Sequence, residues 1–268
     1  MSRRRIVFWC AVAVMVLAGA FVAVQIGSAV HNARIYGELQ EQATASEQPS
    51  GLEDIPAEPA PQPYVSPIDF AQLWDINEDI YAWIEIPGMD ISYPIVQHPT
   101  DDEYYLHYTI EGNRGLPGSI YTEPSVNSKD FSDFNTVIYG HHAKGGLMFS
   151  NLVKYRDYSV LEENRAIVIY TPDAEYHYKI FAAELFGNEY IPYYYPCDTE
   201  ASRQEYLDAL AGVRDMNSYF LDDVEVTPDS HIITLSTCTG VSANRTTNRY
   251  LVVAVLEDLL PAGEGAQE

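Results

Sequence analysis

The stretch His231–Ala254 reads HIITLSTCTGVSANRTTNRYLVVA. Its first part, Ile232–Thr237, is dense in β-branched residues and predicts a strand, because such side chains fit a pleated surface. That strand delivers Cys238 at its end. Thr239 and Gly240 break the pattern, a polar loop runs to Asn248, and Arg249 opens a second apolar run, Tyr250–Leu256. A thiol at the end of one strand and a guanidinium at the start of the next can face each other across a cleft. That pairing suits a cysteine nucleophile with a cationic partner. The competing reading is structural, since a free cysteine is often a small core residue. Arg245 competes with Arg249 for the cationic role, but it sits in mid-loop with no strand to fix it.

A second stretch bears on the same chemistry. Asn135–Asp157 reads NTVIYGHHAKGGLMFSNLVKYRD. A strand over Thr136–Tyr139 ends at Gly140, which permits a sharp turn that would project His141 from the strand end. A histidine beside a thiol can share its proton as a thiolate–imidazolium pair. If the strand continues, His141 and His142 project to opposite sides, so only one faces Cys238. The structural alternative for each is an ordinary hydrogen-bonded histidine. Zinc is disfavoured: no second cluster of His, Cys, Asp or Glu has ligand spacing.

The rest of the chain sets the organisation. Ser2–Arg5 carries three arginines and precedes Ile6–Ile26, an apolar run interrupted only by Gln25. At roughly 20 residues it is long enough for one membrane-spanning helix, and the arginines orient the remainder outward. The alternative, a cleaved signal peptide, also exports the remainder. Residues 1–5 then form a basic cytoplasmic tip and 6–30 a signal anchor. His31–Gln42 extends the helix, and the Ala, Glu, Pro, Gln and Ser composition up to Pro67 makes 31–67 a tether. Residues 68–258 are long enough for one domain with a real core, and 259–268 form a polar tail. The chain has 39 acidic and 15 basic residues, a net charge of -24, which disfavours nucleic acid as a partner. Three cysteines in an exported chain do not make a disulfide scaffold, although a Cys197–Cys238 bridge is open.

Within 68–258 a short helix is expected over Asp69–Asn77. Strands are expected over Ile80–Ile86, Ile91–Gln97, Gly118–Thr122, Thr136–Gly140, Ala166–Thr171 and Tyr176–Phe186, besides the two above. Leu147–Tyr155 and Thr199–Met216 are the helical candidates. Strands dominate without regular βαβ alternation, so the fold class is mainly β with added helices, a largely antiparallel barrel or sandwich.

These residues, taken together, resemble sortases. Thr234–Cys238 is similar to the TLxTC signature of that family, Tyr139-Gly140-His141 to its histidine segment, and Arg249 to its arginine before the last strand. YGHH followed by Met148-Phe149, the run Ser92–Gln97 and Tyr104-Tyr105-Leu106 resemble class B in particular. The resemblance covers about 69–255. It implies an eight-stranded sortase β-barrel with one N-terminal transmembrane helix, and transpeptidation at the surface of a Gram-positive-type bacterium with no cofactor. It implies Cys238 as nucleophile, His141 as general acid/base and Arg249 as the oxyanion or substrate-positioning group. Leu106, Tyr139 and Ser236, and more weakly Tyr190 and Ile191, match positions that line the groove for the sorting signal. Asp102 stands where class B enzymes often carry Asn, and Thr239-Gly240 replaces an acidic pair. The implied partners are surface proteins bearing an NPxT-like motif, and an amine of the peptidoglycan precursor or cross-bridge. A pilin polymerase using a subunit lysine, an exported cysteine protease, and an anchored binding domain with an inert Cys238 are the alternatives.

Overall fold

The computed structural model describes residues 3–44, 64–143, 145–239 and 248–261. The chain divides into two units, Met1–Glu41 and Gln42–Glu268. Helix α1 (Arg3–Thr44) accounts for the first. It continues unbroken through residues 31–44, so the first part of the expected tether is helical. Among the described residues no helix is long and apolar enough to cross a membrane; the expected spanning segment 6–30 lies within α1 and is not shown to be one. The rest of the expected tether up to residue 63, the loop 240–247 with Arg245, and the tail from residue 262 lie outside the described residues.

The second unit is built on nine strands: β1 (Ile80–Ile86), β2 (Ile91–Val96), β3 (Ile120–Tyr121), β4 (Asn135–Tyr139), β5 (Ala166–Tyr170), β6 (Ala174–Phe186), β7 (Tyr219–Phe220), β8 (Ile232–Cys238) and β9 (Arg249–Pro261). Their order is β5-β1-β2-β3-β4-β8-β9-β6-β7, and β5 also pairs with β6. Eight strands thus close into a barrel, with the two-residue β7 appended to β6. The helices are α2 (Phe70–Ile76), α3 (Tyr104–His107), a 3-10 helix (Phe149–Arg156), α4 (Tyr158–Glu163), α5 (Ile191–Tyr194) and α6 (Glu200–Gly212).

The barrel is largely antiparallel, as expected, but mixed: β2–β3 and β4–β8 are parallel pairs. Parallel neighbours need a long crossover. Here one crossover carries α3 and the other carries β5, β6 and α6, so neither shows the rhythm of one helix between two strands. The expected tail also starts later, because Leu259, Leu260 and Pro261 still pair with β6. Leu147–Tyr155 becomes a 3-10 helix beginning at Phe149, behind Met148 at φ 56°. The helix expected to reach Met216 ends at Gly212, at a poor helix former. Its start is fixed by reciprocal bonds between Thr199 and Ser202, a capping box.

Two local arrangements place the site. Ile232, Thr234, Ser236 and Cys238 alternate onto one face of β8, shared with Val255, Val253 and Leu251 of β9. Tyr206, Leu207 and Leu210 of α6 join Ile232, Leu251, Val253 and Val255 in one buried cluster. Each such burial stabilises by about 1.5–3 kcal/mol relative to exposure. The cluster ends at the Ser236–Leu251 row, and the next pair, Cys238 and Arg249, opens onto a cleft. On the other side the β3–β4 ladder is thin, with Tyr121 opposite Tyr139 as its register. Buried Asn127 supplements it: its Oδ1 accepts from Val137 N at 2.9 Å and its Nδ2 donates to Asn135 O at 2.8 Å.

Candidate active site

Cys238 and Arg249 are directly paired across β8 and β9. Arg249 Nη1 donates to Cys238 Sγ at 3.0 Å. A guanidinium against a sulfur stabilises negative charge there. Both side chains line a cleft of about 810 Å³ together with His141. The register puts Tyr121, Tyr139 and Ser236 in one row beneath it. Tyr121 and Tyr139 stack with centroids 5.4 Å apart.

His141 is held from behind by α3. Its Nε2 donates to the Leu106 carbonyl at 2.9 Å, which leaves Nδ1 as the acceptor nitrogen of the neutral ring. The contact needs Gly118: at φ +66° a Cβ there would lie 2.9 Å from Tyr105 O and 3.1 Å from His141 Cδ2. Gly140 has a different reason from the one its position suggests. Its φ is not positive, and a Cβ would lie 2.5 Å from Ile120 and 2.6 Å from Phe149. Crowding, not a turn, demands glycine there. Burial holds the His141 imidazole below its ordinary value, opposed by the Leu106 carbonyl and assisted by the Arg249 charge and by neighbouring His107. The neutral ring therefore predominates at neutral pH.

His142 lies off the cleft lining and bridges to Met148. Burial also lowers it, with hydrogen bonding to the Cys238 backbone opposing and the Arg156 charge assisting. Both histidines therefore approach the Cys238 strand, one from the cleft and one at the backbone. Cys197 and Cys238 are free thiols. Cys197 lines another cleft, of about 380 Å³, where burial pushes its thiol up to about 11.

Of the remaining residues singled out in sequence, Leu106, Tyr139, Tyr190 and Ser236 all line the central cleft. Ile191 does not; it is 3 % exposed and belongs to the cluster under α6. Asp102 lines the cleft but is tied up, its oxygens accepting from Ser125 N at 3.0 Å and Ser125 Oγ at 2.6 Å. Sequence reasoning missed Gly118, Tyr121 and Glu123. Only the barrel register, absent from any local pattern, brings the last two to the cleft.

The closed mixed barrel, with a thiol, a guanidinium and a histidine at one cleft, defines a cysteine acyl-transfer site. The Sortase domain family matches residues 84–257. Sortase B of Listeria monocytogenes is 33 % identical over 171 residues, 63 % of this chain and 67 % of that protein. Sortase B of Staphylococcus aureus is 32 % identical over 195 residues, 72 % of this chain and 76 % of that protein. Among solved structures, a Staphylococcus aureus sortase B–substrate complex superposes with a TM-score of 0.58 at 29 % identity, covering 70 % of this chain and 84 % of that one. A sortase B complexed with triglycine matches with a TM-score of 0.58 at 29 % identity, covering 70 % and 85 %. The chain belongs to the sortase B family and is a sortase cysteine transpeptidase.

Proposed function

We propose that the protein cleaves a sorting-signal peptide after Thr and transfers the acyl group, through a thioester on Cys238, to an amine of the cell-wall peptide. The observation that carries this is the 3.0 Å Arg249–Cys238 contact at the mouth of a cleft that His141 also lines. The Cys238 thiolate attacks the Thr carbonyl carbon. Arg249 donates to the developing oxyanion or holds the peptide. His141 as imidazolium protonates the departing amine, and the amide C–N bond breaks. Neutral His141 then takes a proton from the acceptor amine as it attacks the thioester, and the thiolate leaves. The thioester keeps the acyl group activated, so no cofactor enters.

The donor motif is NPxT-like, on the class B pattern of Ser92–Gln97 and YGHH. The acceptor is a glycine-type amine of the wall cross-bridge, supported by the sortase B structure complexed with triglycine. The sortase B–substrate complex supports a peptide in this cleft, beside Leu106, Tyr139, Tyr190 and Ser236. Ile6–Ile26 anchors the protein in the plasma membrane, and residues 68–258 work outside it.

The test is product analysis by mass spectrometry, with full-length protein, a donor peptide, and triglycine present or absent. The expected result is a thioester on Cys238 and, with triglycine, an amide-linked product. Release of free acid alone, unchanged by triglycine, would make the protein a protease. Turnover by folded Cys238→Ala would remove Cys238 as nucleophile.

A further inference from the structure

We propose that His98 is a positioning residue for His141: as a hydrogen-bond acceptor it sets the turn that carries the Leu106 carbonyl to the His141 ring. The inference rests on His141 being the acid/base of the proposed reaction.

His98 stands where the barrel stops and the lip of the cleft begins. Gln97, just before it, is buried and pinned. Its backbone N donates to Asp79 O at 3.1 Å, and its Nε2 donates to Asn127 O at 2.8 Å and Thr122 Oγ1 at 3.1 Å. Soon after His98, the residues Thr100, Asp101, Asp102 and Glu103 line the cleft. His98 Nδ1 accepts from Asp101 N at 2.9 Å and from Thr100 N at 3.2 Å. Only a neutral imidazole with its proton on Nε2 accepts at Nδ1. The turn therefore takes its shape from a side chain rooted at a fixed strand end, as Asx turns do. The same ring stacks on Tyr104, centroids 4.5 Å apart, and Tyr104 stacks on Tyr108 at 4.3 Å.

Hydrogen bonds run from this turn to the site. Asp101, held by His98, accepts from Glu103 N on its Oδ1 at 3.0 Å. Glu103 O accepts from Leu106 N at 3.2 Å, and Leu106 O accepts from His141 Nε2 at 2.9 Å. Helix α3 is only four residues long, and its N-cap Glu103 makes no side-chain capping bond. So short a helix does not hold itself, and its place comes from what it leans on. Tyr105 anchors one side, its hydroxyl donating to Asp79 Oδ2 at 2.7 Å and its carbonyl accepting from Ser119 N at 3.0 Å. Asp102 ties the lip to Ser125. His98 sets the approach to the helix through both the turn and the stack. A Leu106 carbonyl displaced by about 1 Å would release the His141 ring or turn it, and misplacement on that scale costs up to about 100-fold in rate.

The experiment uses full-length protein, an NPxT-like donor peptide and triglycine. His98→Phe keeps a flat ring against Tyr104 but has no acceptor. His98→Asn gives up the stack but puts an amide oxygen where Nδ1 stood, the arrangement of an Asx turn. His98→Ala removes both and replaces the Phe variant should that one not fold. His98→Phe is expected to lower kcat by about tenfold or more, with the donor KM within about threefold. His98→Asn should restore kcat to within about threefold of wild type. Nitrogen-edited NMR of the His141 ring, assigned by its loss in His141→Ala, reads the cause. The Nε2–H signal held by Leu106 should persist in His98→Asn and exchange with water about tenfold faster or more in His98→Phe. Wild-type kcat in His98→Phe, equal losses in the Phe and Asn variants, or a loss of kcat with the His141 signal unchanged would each overturn the proposal. The two readings fail separately. If folded His141→Ala keeps its turnover, the acid/base reading fails and takes the inference with it. If His141→Ala is inactive and the His141 ring does not respond to His98, the inference fails alone.

Discussion

His141 and His142 are adjacent in sequence, yet their rings land in different places. The Leu106 carbonyl fixes the His141 ring at the cleft, whereas His142 reaches the Cys238 backbone. His141→Ala is therefore expected to lower kcat/KM by about 10³-fold or more, the loss of a general acid/base and of the thiolate's partner. His142→Ala should cost at most about tenfold, about 1.4 kcal/mol of transition-state stabilisation. Steady-state kinetics on both folded variants checks this, and the reverse ranking would move the role to His142. The His141 environment makes a second expectation. Its imidazole should titrate below the ordinary histidine value of about 6.5, and Arg249→Gln, by removing a cation that lowers it, should move it up. Ring-proton NMR across a pH series reads both. A wild-type value at or above the ordinary one would show that burial does not dominate there.

At the level of elements, the weak place in the barrel is the β3–β4 seam. Asn127 bridges it by satisfying Val137 N–H and Asn135 C=O, and Gln97 Nε2 in turn donates to Asn127 O at 2.8 Å. Asn127→Ala would leave a buried donor and a buried acceptor unpaired, at about 1–3 kcal/mol each. Expected is a loss of about 2–5 kcal/mol in chemical denaturation, with a larger loss of activity under mild denaturant, since Tyr121 and Tyr139 border the cleft at that seam. A destabilisation below about 1 kcal/mol would mean that water takes over both bonds. The seam also explains what a strand-by-strand reading misses. Gly118–Thr122 carries a strand-like pattern, but only Ile120 and Tyr121 pair, and side chains do the rest.

Across the whole molecule, buried Glu184 is one of the groups that make stability depend on pH. Glu184 of β6 is 1 % exposed, its Oε1 has no hydrogen-bond partner among the described residues, and burial pushes it up to about 8. Between the unfolded carboxyl value and about 8 the folded state holds a proton that the unfolded state has lost, so stability falls as pH rises. The slope is at most about 1.4 kcal/mol per pH unit. Glu184→Gln should flatten it, with equal stability near about pH 5 and a growing advantage toward pH 8; parallel curves in denaturant melts at several pH values would refute this. The sequence by itself determined the enzyme class and most of the strands. TLSTC, YGHH and Arg249 carry the family resemblance locally, and β-branched runs declare strands wherever they pair. Tertiary structure alone decided the rest. It made the barrel mixed, because long crossovers leave no local signature. It drew Ile191 into the core and set Gly118 against His141, because close approach is a property of two distant segments. It brought Glu123 into reach of the cleft, because a residue just past a two-residue strand takes its place from the register of its neighbours.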